Sequence, residues 1–450
     1  MQRIFLTGLS GSGKSTIGQQ LATLLGWAFI DTDDLLSERL GLPVGQVLVE
    51  YGEQKFRQME TEVLISAASQ DHVVIATGGG AIIAEANRTL MRKQGLTVYL
   101  QISVEKAWQR VQEEMRQSGT AAVRPLLAGE DGQRRLHDLF LSRRQWYEQA
   151  AVCINTDEQP PIILAGQIVA FALAHGYLST SSHEGTQFIG PLHLGSTSSQ
   201  AVIEWGGLHR LPEILQSLEL PQRVFIITDT DVGQLYSDPI RTLLERSGFV
   251  PNVFTVPAGE SSKSFLCMQQ IIDWLVEQKA ERQEPIIALG GGVVGDLAGF
   301  VAACYQRGVP LIQIPTSLLA QVDSAIGGKT AINHPLGKNL IGAYYQPKLI
   351  LVDPAFLLTL PPRMYREGWA EIVKYGIILD ANLFDLLESQ TSAIHSRDAE
   401  LLTTIIARCV RLKMDVVQHD ERESGLRTIL NYGHTFGHAL ETLTDYGTWL

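Results

Sequence analysis

The sequence contains little cysteine and no basic excess. Its four cysteines, Cys153, Cys267, Cys304 and Cys409, lie far apart and form no C-x-x-C pair. This argues against a cysteine metal site or a disulfide framework and favours a reducing compartment. The formal charge is -12 over 450 residues. No nucleic-acid partner is expected, because that function needs a basic surface that contacts phosphates.

Long uninterrupted apolar runs are also absent from the sequence. The two most apolar stretches, residues 160–178 and 286–305, are broken by polar residues or glycines, so neither predicts a membrane span. The N-terminus leads straight into a strand pattern, without the basic and apolar segments of a signal peptide. Hydrophobic residues make up 45% of the chain, which is typical of globular enzymes. We expect two or three domains, a cytoplasmic location and no membrane partner.

A glycine-rich loop follows the first strand pattern. Residues 8–16 read GLSGSGKST, between a strand pattern at residues 3–7 and a helical pattern at residues 17–25. The G-x-x-x-x-G-K-[ST] motif requires this context, in which Lys14 reaches the β and γ phosphates and Ser15 can ligate Mg²⁺. The predicted ATP site consists of Gly11, Ser12, Gly13, Lys14, Ser15 and Thr16.

Three further segments could hold a phosphoryl acceptor. Asp31 and Asp33 end a second strand pattern, and Arg57 stands one helical turn before Glu60, where the acid can hold the guanidinium. A buried strand pattern is followed by three glycines, residues 78–80, which permit close approach of the backbone to a ligand. Guanidinium groups suit a substrate carboxylate.

These motifs resemble shikimate kinase over about the first 172 residues. The resemblance implies phosphorylation of shikimate at its 3-hydroxyl by ATP, with Ser15 and Asp31 serving Mg²⁺. Arg124 would lie on the family's lid segment, and Arg110 near the adenine. The implied catalytic residues are Lys14, Asp33 and Arg124. The residues implied to hold shikimate are Asp33, Arg57, Gly79 and Arg143.

A Ser/Thr/Gly-rich stretch separates the two halves of the chain. It follows a helical pattern at residues 162–175, and its composition is typical of a flexible linker. The expected division is a kinase domain at residues 1–172, a linker at 173–190, a cofactor-binding part at 191–355 and a helical part at 356–450.

The second half contains another strand, glycine turn and helix pattern. A buried run at residues 286–289 leads into GGGVVGD, residues 290–296, an arrangement that can present a pyrophosphate-binding crevice. The motif alone also fits a purely structural turn, because it lacks the standard G-x-G-x-x-G spacing. Cationic and polar residues then recur beside glycines between residues 307 and 376, which favours a pocket for an oxygen-rich anion.

The order of these motifs is similar to 3-dehydroquinate synthase from about residue 191 to the end. The resemblance implies conversion of the seven-carbon phosphorylated sugar acid DAHP to 3-dehydroquinate and phosphate, by NAD⁺-assisted redox, elimination and aldol closure. The implied NAD⁺ contacts are Asp229, Glu260, Lys263, Gly291, Gly292, Asp296, Thr316 and Ser317. The implied substrate contacts are Arg307, Lys329, Lys338, Asn339, Lys374, Lys413 and Arg427. Of these, Arg307 would reach a neighbouring subunit, so a homodimer is expected. The implied catalytic residues are Asp323, Lys329 and His438.

The histidine block at residues 433–438, GHTFGH, has two possible interpretations. By the resemblance, Glu371 and His434 would ligate Zn²⁺ or another divalent ion such as Co²⁺, and His438 would carry protons. From the residues alone, the histidines could line a helix, and Glu371 could pair with Lys374 at i,i+3. The family has a third zinc histidine shortly after the block, whereas this chain ends at Leu450. We therefore expect an incomplete zinc site, which leaves open an inert synthase half.

The expected fold is α/β throughout. A P-loop kinase domain with a parallel sheet flanked by helices would precede a Rossmann-like α/β NAD-binding domain and the start of an α-helical metal-binding domain. Two alternatives keep the kinase but change the second half. It could be another sugar-phosphate cyclase or a polyol dehydrogenase, or it could be an inactive module that binds NAD or supports oligomerisation.

Overall fold

The computed structural model describes residues 2–118, 127, 131–178, 187–194, 197–434 and 436–437. The chain divides into two compact units, Met1–Ala172 and Leu173–Leu450. Within the described residues, no helix is long and apolar enough to cross a membrane.

The first unit is built on a five-stranded sheet with the order β2-β3-β1-β4-β5, and every pairing is parallel. Its strands are β1 Arg3–Thr7, β2 Ala28–Asp31, β3 Val73–Ala76, β4 Leu96–Gln101 and β5 Val152–Asn155. Its helices are α1 Lys14–Leu25, α2 Thr32–Leu40, α3 Val44–Ala67, α4 Glu85–Gln94, α5 Val104–Ser118, α6 Gly132–Tyr147 and α7 Pro161–Ala174. The central strands β1 and β3 are buried at every position, as helices on both faces require.

Local backbone geometry places the functional segments of this unit. Gly11 and Gly13 have φ values of 82° and 87°, a left-handed region that favours glycine, and α1 begins directly after them. Helix α3 is interrupted at Gly52, where φ is 76°. The part of α3 after this kink carries Arg57 and Glu60.

The second unit contains a seven-stranded sheet with the order β6-β7-β14-β11-β10-β8-β9. Strands β6 and β7 pair antiparallel, and the other pairings are parallel. The strands are β6 Gln187–Leu194, β7 Thr197–Ile203, β8 Arg223–Asp229, β9 Val250–Val256, β10 Ile286–Gly290, β11 Leu311–Pro315 and β14 Leu349–Val352. A separate antiparallel hairpin is formed by β12 Lys329–His334 and β13 Gly337–Tyr344.

Helices flank this sheet and then form a helical segment of their own. The helices of the sheet region are α8 Leu211–Ser217, α9 Thr230–Arg246, α10 Phe265–Glu277 and α11 Gly292–Cys304. The later helices are α12 Pro362–Ile378, α13 Ala381–Ser389, α14 Thr391–His395 and α15 Ala399–His419. Their buried apolar residues pack with those of β7 and β14 in one cluster. The predicted α/β fold with a helical second part is confirmed.

The bounds expected for the linker do not coincide with the ends of the helix and strand on either side of it. Helix α7 runs to Ala174, and β6 begins at Gln187, so both ends of the expected segment 173–190 lie in regular elements. Phe188 and Ile189 stand in register with Val202 and Ala201 of β7, so regular strand structure begins inside the expected linker.

Candidate functional site

The phosphate loop of the first unit lies at the carboxyl end of β1. The Nζ atom of Lys14 donates to the carbonyl oxygens of Gly8 and Leu9, each at 3.0 Å. Lys14 therefore folds over the loop, where it can reach a phosphate bound by the N–H groups at the start of α1.

The hydroxyl of Ser15 and the carboxylate of Asp31 lie together beside this loop. The Oγ atom of Ser15 donates to Oδ2 of Asp31 at 2.7 Å, and Oδ1 of Asp31 accepts from the backbone N–H of Asp33 at 3.0 Å. Asp31 thereby caps α2 and faces the phosphate loop. Hard oxygen donors of this kind suit Mg²⁺, so the two residues predicted to serve the ion fit it.

The acceptor side depends on the glycines at residues 78–80. Arg57 donates to Glu60 at 2.9 Å, which confirms the contact predicted from their spacing. Burial raises the pKa of Glu60, whose side chain is only 4% exposed, while Arg57 opposes that shift. A Cβ added at Gly80 would lie 2.0 Å from the Arg57 guanidinium, and one at Gly78 would lie 2.6 Å from Oδ1 of Asp33. Glycine therefore allows these side chains to converge.

Arg143 and Tyr147 of α6 close the same pocket. The Nη1 atom of Arg143 and the hydroxyl of Tyr147 both donate to the carbonyl oxygen of Gly79, at 2.9 and 2.6 Å. Arg57 and Arg143 thus flank one triglycine segment. Sequence reasoning identified Arg143 but did not foresee that Tyr147 holds Gly79 in place.

Arg110 is the remaining kinase residue whose position the structure describes. Arg110 donates to the carbonyl oxygens of Gly11 at 3.4 Å and Thr156 at 2.6 Å, so it lies against the phosphate loop. Arg124, predicted to close over the phosphates, lies outside the described residues.

In the second unit, the glycine turn after β10 meets the segment after β11. Thr316 donates its backbone N–H to the carbonyl oxygen of Gly290 at 3.0 Å. A Cβ added at Gly291 would lie 3.4 Å from Oγ of Ser317, and one at Gly292 would lie 3.0 Å from Oγ of Ser324. This close packing sets the N-terminus of α11 at the carboxyl ends of two parallel strands, the place where α/β sheets bind dinucleotides.

Asp229 lies at the end of β8, the strand next to β10. Its carboxylate accepts from the backbone N–H groups of Asp231 at 3.0 Å and Val232 at 2.9 Å, and it caps α9. Burial raises the pKa of Asp229, and the two hydrogen bonds oppose the shift. The acid and the glycine turn therefore border one crevice, and these residues fit NAD⁺.

Lys263 connects Asp296, predicted to contact NAD⁺, to Asn339, predicted to contact the substrate. Its Nζ atom is buried, with the side chain 5% exposed, and it donates to Oδ2 of Asp296 at 2.7 Å and to Oδ1 of Asn339 at 2.5 Å. Glu260 lies 3.8 Å from the same nitrogen. Burial raises the pKa of Asp296, and Lys263 opposes the shift.

Asp323 is held by two partners on the helical segment. Lys413 donates to its backbone oxygen at 2.7 Å and to Oδ1 at 2.6 Å, and the Tyr375 hydroxyl donates to Oδ1 at 3.0 Å. Burial would raise the pKa of Asp323, but the cations of Lys413 and Lys374 outweigh it, so the pKa is lowered. Asp323 lies in a π-helical turn, Ala320–Ser324, a type of turn often found at functional sites. Sequence reasoning missed Tyr375.

Glu371 makes the predicted contact with Lys374 and also lies near His434. Lys374 donates to one carboxylate oxygen, while Nε2 of His434 lies 3.9 Å from the other. A carboxylate oxygen and an imidazole nitrogen that face each other suit zinc. No group of three potential metal ligands occurs among the described residues, and His438 lies outside them.

Lys329 and Arg427 are both positioned by the segment after α15. Lys329 donates to Glu423, which also accepts from Nδ2 of Asn431 at 2.7 Å. Burial alone would raise the pKa of Glu423, but the hydrogen bonds from Lys329 and Asn431 and the charge of Lys329 outweigh it, so the pKa is lowered. Arg427, only 1% exposed, donates to the backbone oxygens of Glu421 at 2.6 Å and Gly327 at 3.1 Å. Glu423 was not foreseen from the sequence.

Four predicted substrate residues are exposed, namely Arg307, Lys329, Lys338 and Asn339. Lys338 lies near the start of β13, and Arg307 ends a 3-10 turn, Tyr305–Arg307, that follows α11. Since α11 has 13 residues, Arg307 stands roughly 20 Å from the glycine turn at the other end of that helix.

Family models match both units. Residues 10–173 match the shikimate kinase model, residues 253–367 the N-terminal model of 3-dehydroquinate synthase and residues 368–450 its C-terminal model. The 3-dehydroquinate synthase of Rippkaea orientalis (strain PCC 8801 / RF-1) is 50% identical over 260 residues, which are 57% of this chain and 71% of the relative. That of Geobacter metallireducens is 52% identical over 248 residues, which are 54% of this chain and 69% of the relative.

Solved structures resemble the second unit as well. The 2-epi-5-epi-valiolone synthase ValA from Streptomyces hygroscopicus subsp. jinggangensis 5008, solved with NAD⁺ and Zn²⁺, has a TM-score of 0.53 and 31% identity. The match covers 57% of this chain and 71% of ValA. A 2-deoxy-scyllo-inosose synthase, solved with carbaglucose-6-phosphate, NAD⁺ and Co²⁺, has a TM-score of 0.53 and 28% identity, covering 59% and 72%. The chain belongs to the 3-dehydroquinate synthase family and carries a shikimate kinase domain ahead of the synthase, so it is a fusion of two shikimate-pathway enzymes.

Proposed function

We propose that the first unit binds shikimate between Arg57, Arg143 and the triglycine segment and presents its 3-hydroxyl to ATP. The convergence of the two guanidinium groups on Gly79 and Gly80 carries this proposal. A planar carboxylate suits bidentate guanidinium donors, and Glu60 holds one of them in a fixed direction.

Each kinase residue then has a task that its position permits. Asp33 orients the acceptor hydroxyl and takes its proton. Lys14 binds the β and γ phosphates, and the charge that develops on them is stabilised there. Mg²⁺, held by Ser15 and Asp31, neutralises phosphate charge when bound. Arg124 is proposed to complete the phosphate cradle on the strength of the family pattern alone.

Replacement of Arg57 by lysine tests the carboxylate grip. The variant keeps a cation beside buried Glu60 but loses the planar two-donor geometry. We expect the KM for shikimate to rise roughly 10- to 100-fold, because a charge-assisted hydrogen bond is lost, with a smaller change in kcat and in the KM for ATP. Steady-state kinetics measure this. The matched control is Arg39→Lys on α2, an exposed arginine that donates to Ser66. An unchanged KM for shikimate in Arg57→Lys contradicts the proposed role.

We further propose that the second unit converts DAHP to 3-dehydroquinate and phosphate with NAD⁺ and zinc. The observation that best supports this proposal is the hydrogen bond from Lys263 to Asn339. It connects the crevice at the glycine turn to the β12–β13 hairpin, which bears Lys329 and Lys338. The residues of that crevice fit the cofactor, and the solved relatives hold NAD⁺ with Zn²⁺ or Co²⁺. The alternative of a different cyclase reaction is disfavoured by the identity of about half to named 3-dehydroquinate synthases.

The chain's own residues prepare the reaction. NAD⁺ accepts and later returns a hydride when bound, and zinc on Glu371 and His434 favours loss of the carbinol proton. The cations of Lys329, Lys374, Lys413 and Arg427 bind the phosphate and carboxylate of the substrate. Asp323, kept ionised by Lys413, orients that lysine. His438 is proposed as the proton carrier, since imidazole titrates near neutral pH.

Replacement of His434 by alanine tests the metal assignment. Loss of a nitrogen ligand should lower the zinc content of purified protein at least about tenfold, while shikimate-dependent ATP use stays intact. Elemental analysis of dialysed protein measures this. His395→Ala on α14 is the matched control, because His395 is exposed and hydrogen-bonded to Thr391. Zinc retained at the wild-type level by His434→Ala would contradict the assignment.

We also propose that the synthase unit forms a homodimer in which Arg307 reaches the phosphate site of a second copy. The exposed position of Arg307, far from the glycine turn along α11, supports a role outside its own crevice. A cytoplasmic location fits the small anionic substrates that both units would use.

A further inference from the structure

Asn333 lies on β12 and joins two segments to which different roles have been assigned. Its backbone N–H donates to the carbonyl oxygen of Lys263 at 2.8 Å. Its Nδ2 atom donates to Oε1 of Glu260 at 2.7 Å, and its Oδ1 atom accepts from the backbone N–H of Asn339 at 2.8 Å. One side chain therefore contacts the cofactor segment and the tip region of the β12–β13 hairpin at once.

The contacts close into a ring. Asn339 has a φ of 57°, a strained value for a residue other than glycine, and its Oδ1 atom accepts from Lys263. Lys263 is in turn held by Asp296. Movement of the segment Glu260–Lys263 would therefore move Asn339 by two routes. One is the direct hydrogen bond from Lys263, and the other is the side chain of Asn333, which joins Glu260 to the backbone of Asn339.

The hairpin does not depend on Asn333 for its packing. The neighbouring residue Ile332 is completely buried in an apolar cluster, and β12 pairs with β13 on both sides of an irregularity between Ile332 and His334. The side chain of Asn333 makes its hydrogen bonds near the surface. Truncation of this side chain therefore removes the route through Glu260, while the hydrogen bond from Lys263 to Asn339 and the apolar support of the hairpin stay in place.

We propose that Asn333 is a positioning residue that couples the cofactor segment Glu260–Lys263 to the hairpin bearing Lys329, Lys338 and Asn339. The inference rests on the proposed function of the second unit. Cofactor bound to Glu260 and Lys263 fixes the groups that hold Asn333, and Asn333 then fixes the substrate residues. By thermodynamic linkage, substrate bound to the hairpin then raises the affinity for the cofactor by the same factor.

The test measures DAHP binding to the full chain with and without saturating NADH, by calorimetry. NADH is used because oxidation of the substrate alcohol requires NAD⁺, so no turnover occurs. In the wild type, NADH should strengthen DAHP binding by a factor of roughly 5 to 150. In Asn333→Ala this factor should fall by roughly 2- to 10-fold, the effect of losing one hydrogen-bonded route, because the bond from Lys263 to Asn339 remains. Asn333→Asp keeps an acceptor for Asn339 but places a carboxylate against Glu260, so it should lower the factor as well.

One variant serves as the control for this test, and three outcomes would contradict the inference. Asn252→Ala, on the edge strand β9, removes an amide that donates to Val250 and should keep the wild-type factor. If Asn333→Ala weakens both ligands but keeps the factor, Asn333 is only structural and the inference is wrong. If wild-type protein binds both ligands independently, the inference is wrong while the synthase site stands. If wild-type protein binds neither, the proposed synthase site fails and this inference fails with it.

Discussion

Replacement of Lys14 by alanine should lower the kcat of shikimate-dependent ADP formation by roughly 100- to 1000-fold, the usual cost of removing one donor aimed at developing charge. The Lys14 ammonium lies over the loop that is proposed to bind phosphate, where it donates to the carbonyl oxygens of Gly8 and Leu9. Coupled measurement of ADP release gives the rate.

The synthase unit provides an internal control for this variant. Phosphate release from DAHP should be unchanged in Lys14→Ala, because Lys14 belongs to the other compact unit. Lys93→Ala on α4, an exposed lysine of the same unit, should keep kinase activity. Wild-type kinase rates in Lys14→Ala would show that the loop does not bind the transferred phosphate.

Replacement of Asp323 by asparagine should have the largest effect on the second unit. Lys413 is 5% exposed and Asp323 is partly buried, with 25% of its side chain exposed. Loss of one partner leaves a buried charge unpaired, at a cost of about 3–5 kcal/mol in the free energy of unfolding. We expect DAHP turnover to fall at least about 100-fold in a variant whose kinase activity is retained. Denaturant unfolding and phosphate release measure the two effects.

The pH dependence of this variant gives a second readout. The lowered pKa of Asp323 means that its stabilising contribution is fully present above the unfolded value of about 3.9 and is lost as pH falls through the lower folded value. Above about pH 5 the difference in the free energy of unfolding from wild type should be fully present. It should shrink as the pH rises towards the ordinary lysine pKa, because burial lowers the pKa of Lys413 and a Lys413 without the Asp323 carboxylate would lose its proton in the folded state. The control is Asp415→Asn, because Asp415 is exposed on α15, the helix that carries Lys413. This replacement should change neither the free energy of unfolding nor its pH dependence.

The sequence predicts those parts of the site that depend on local spacing. The P-loop occupies one strand, turn and helix, so its residues and their positions follow from the motif. Arg57 and Glu60 are three residues apart on a helix, and their contact follows from helical geometry. The glycines at residues 78–80 were expected to allow close approach, and the structure shows the side chains that approach them, Asp33 and Arg57.

Contacts between distant segments could not be predicted in this way. Tyr147 lies 68 residues from Gly79, and Glu423 lies 94 residues from Lys329, so no periodicity brings them together. Only the folding of α6 and of the segment after α15 onto the sheets creates these pairs. Asn333 was overlooked for the same reason, because its partners Glu260 and Asn339 lie on different elements.

We propose that the two units are independent active sites carried by one chain. The most direct test assays a single preparation for shikimate-dependent ADP formation and for NAD⁺-dependent phosphate release from DAHP, in wild type, Lys14→Ala and Asp323→Asn. We predict both activities in the wild type, loss of only the first in Lys14→Ala and loss of only the second in Asp323→Asn. A wild-type preparation in which ADP formation does not depend on shikimate, or in which DAHP releases no phosphate, would contradict the account.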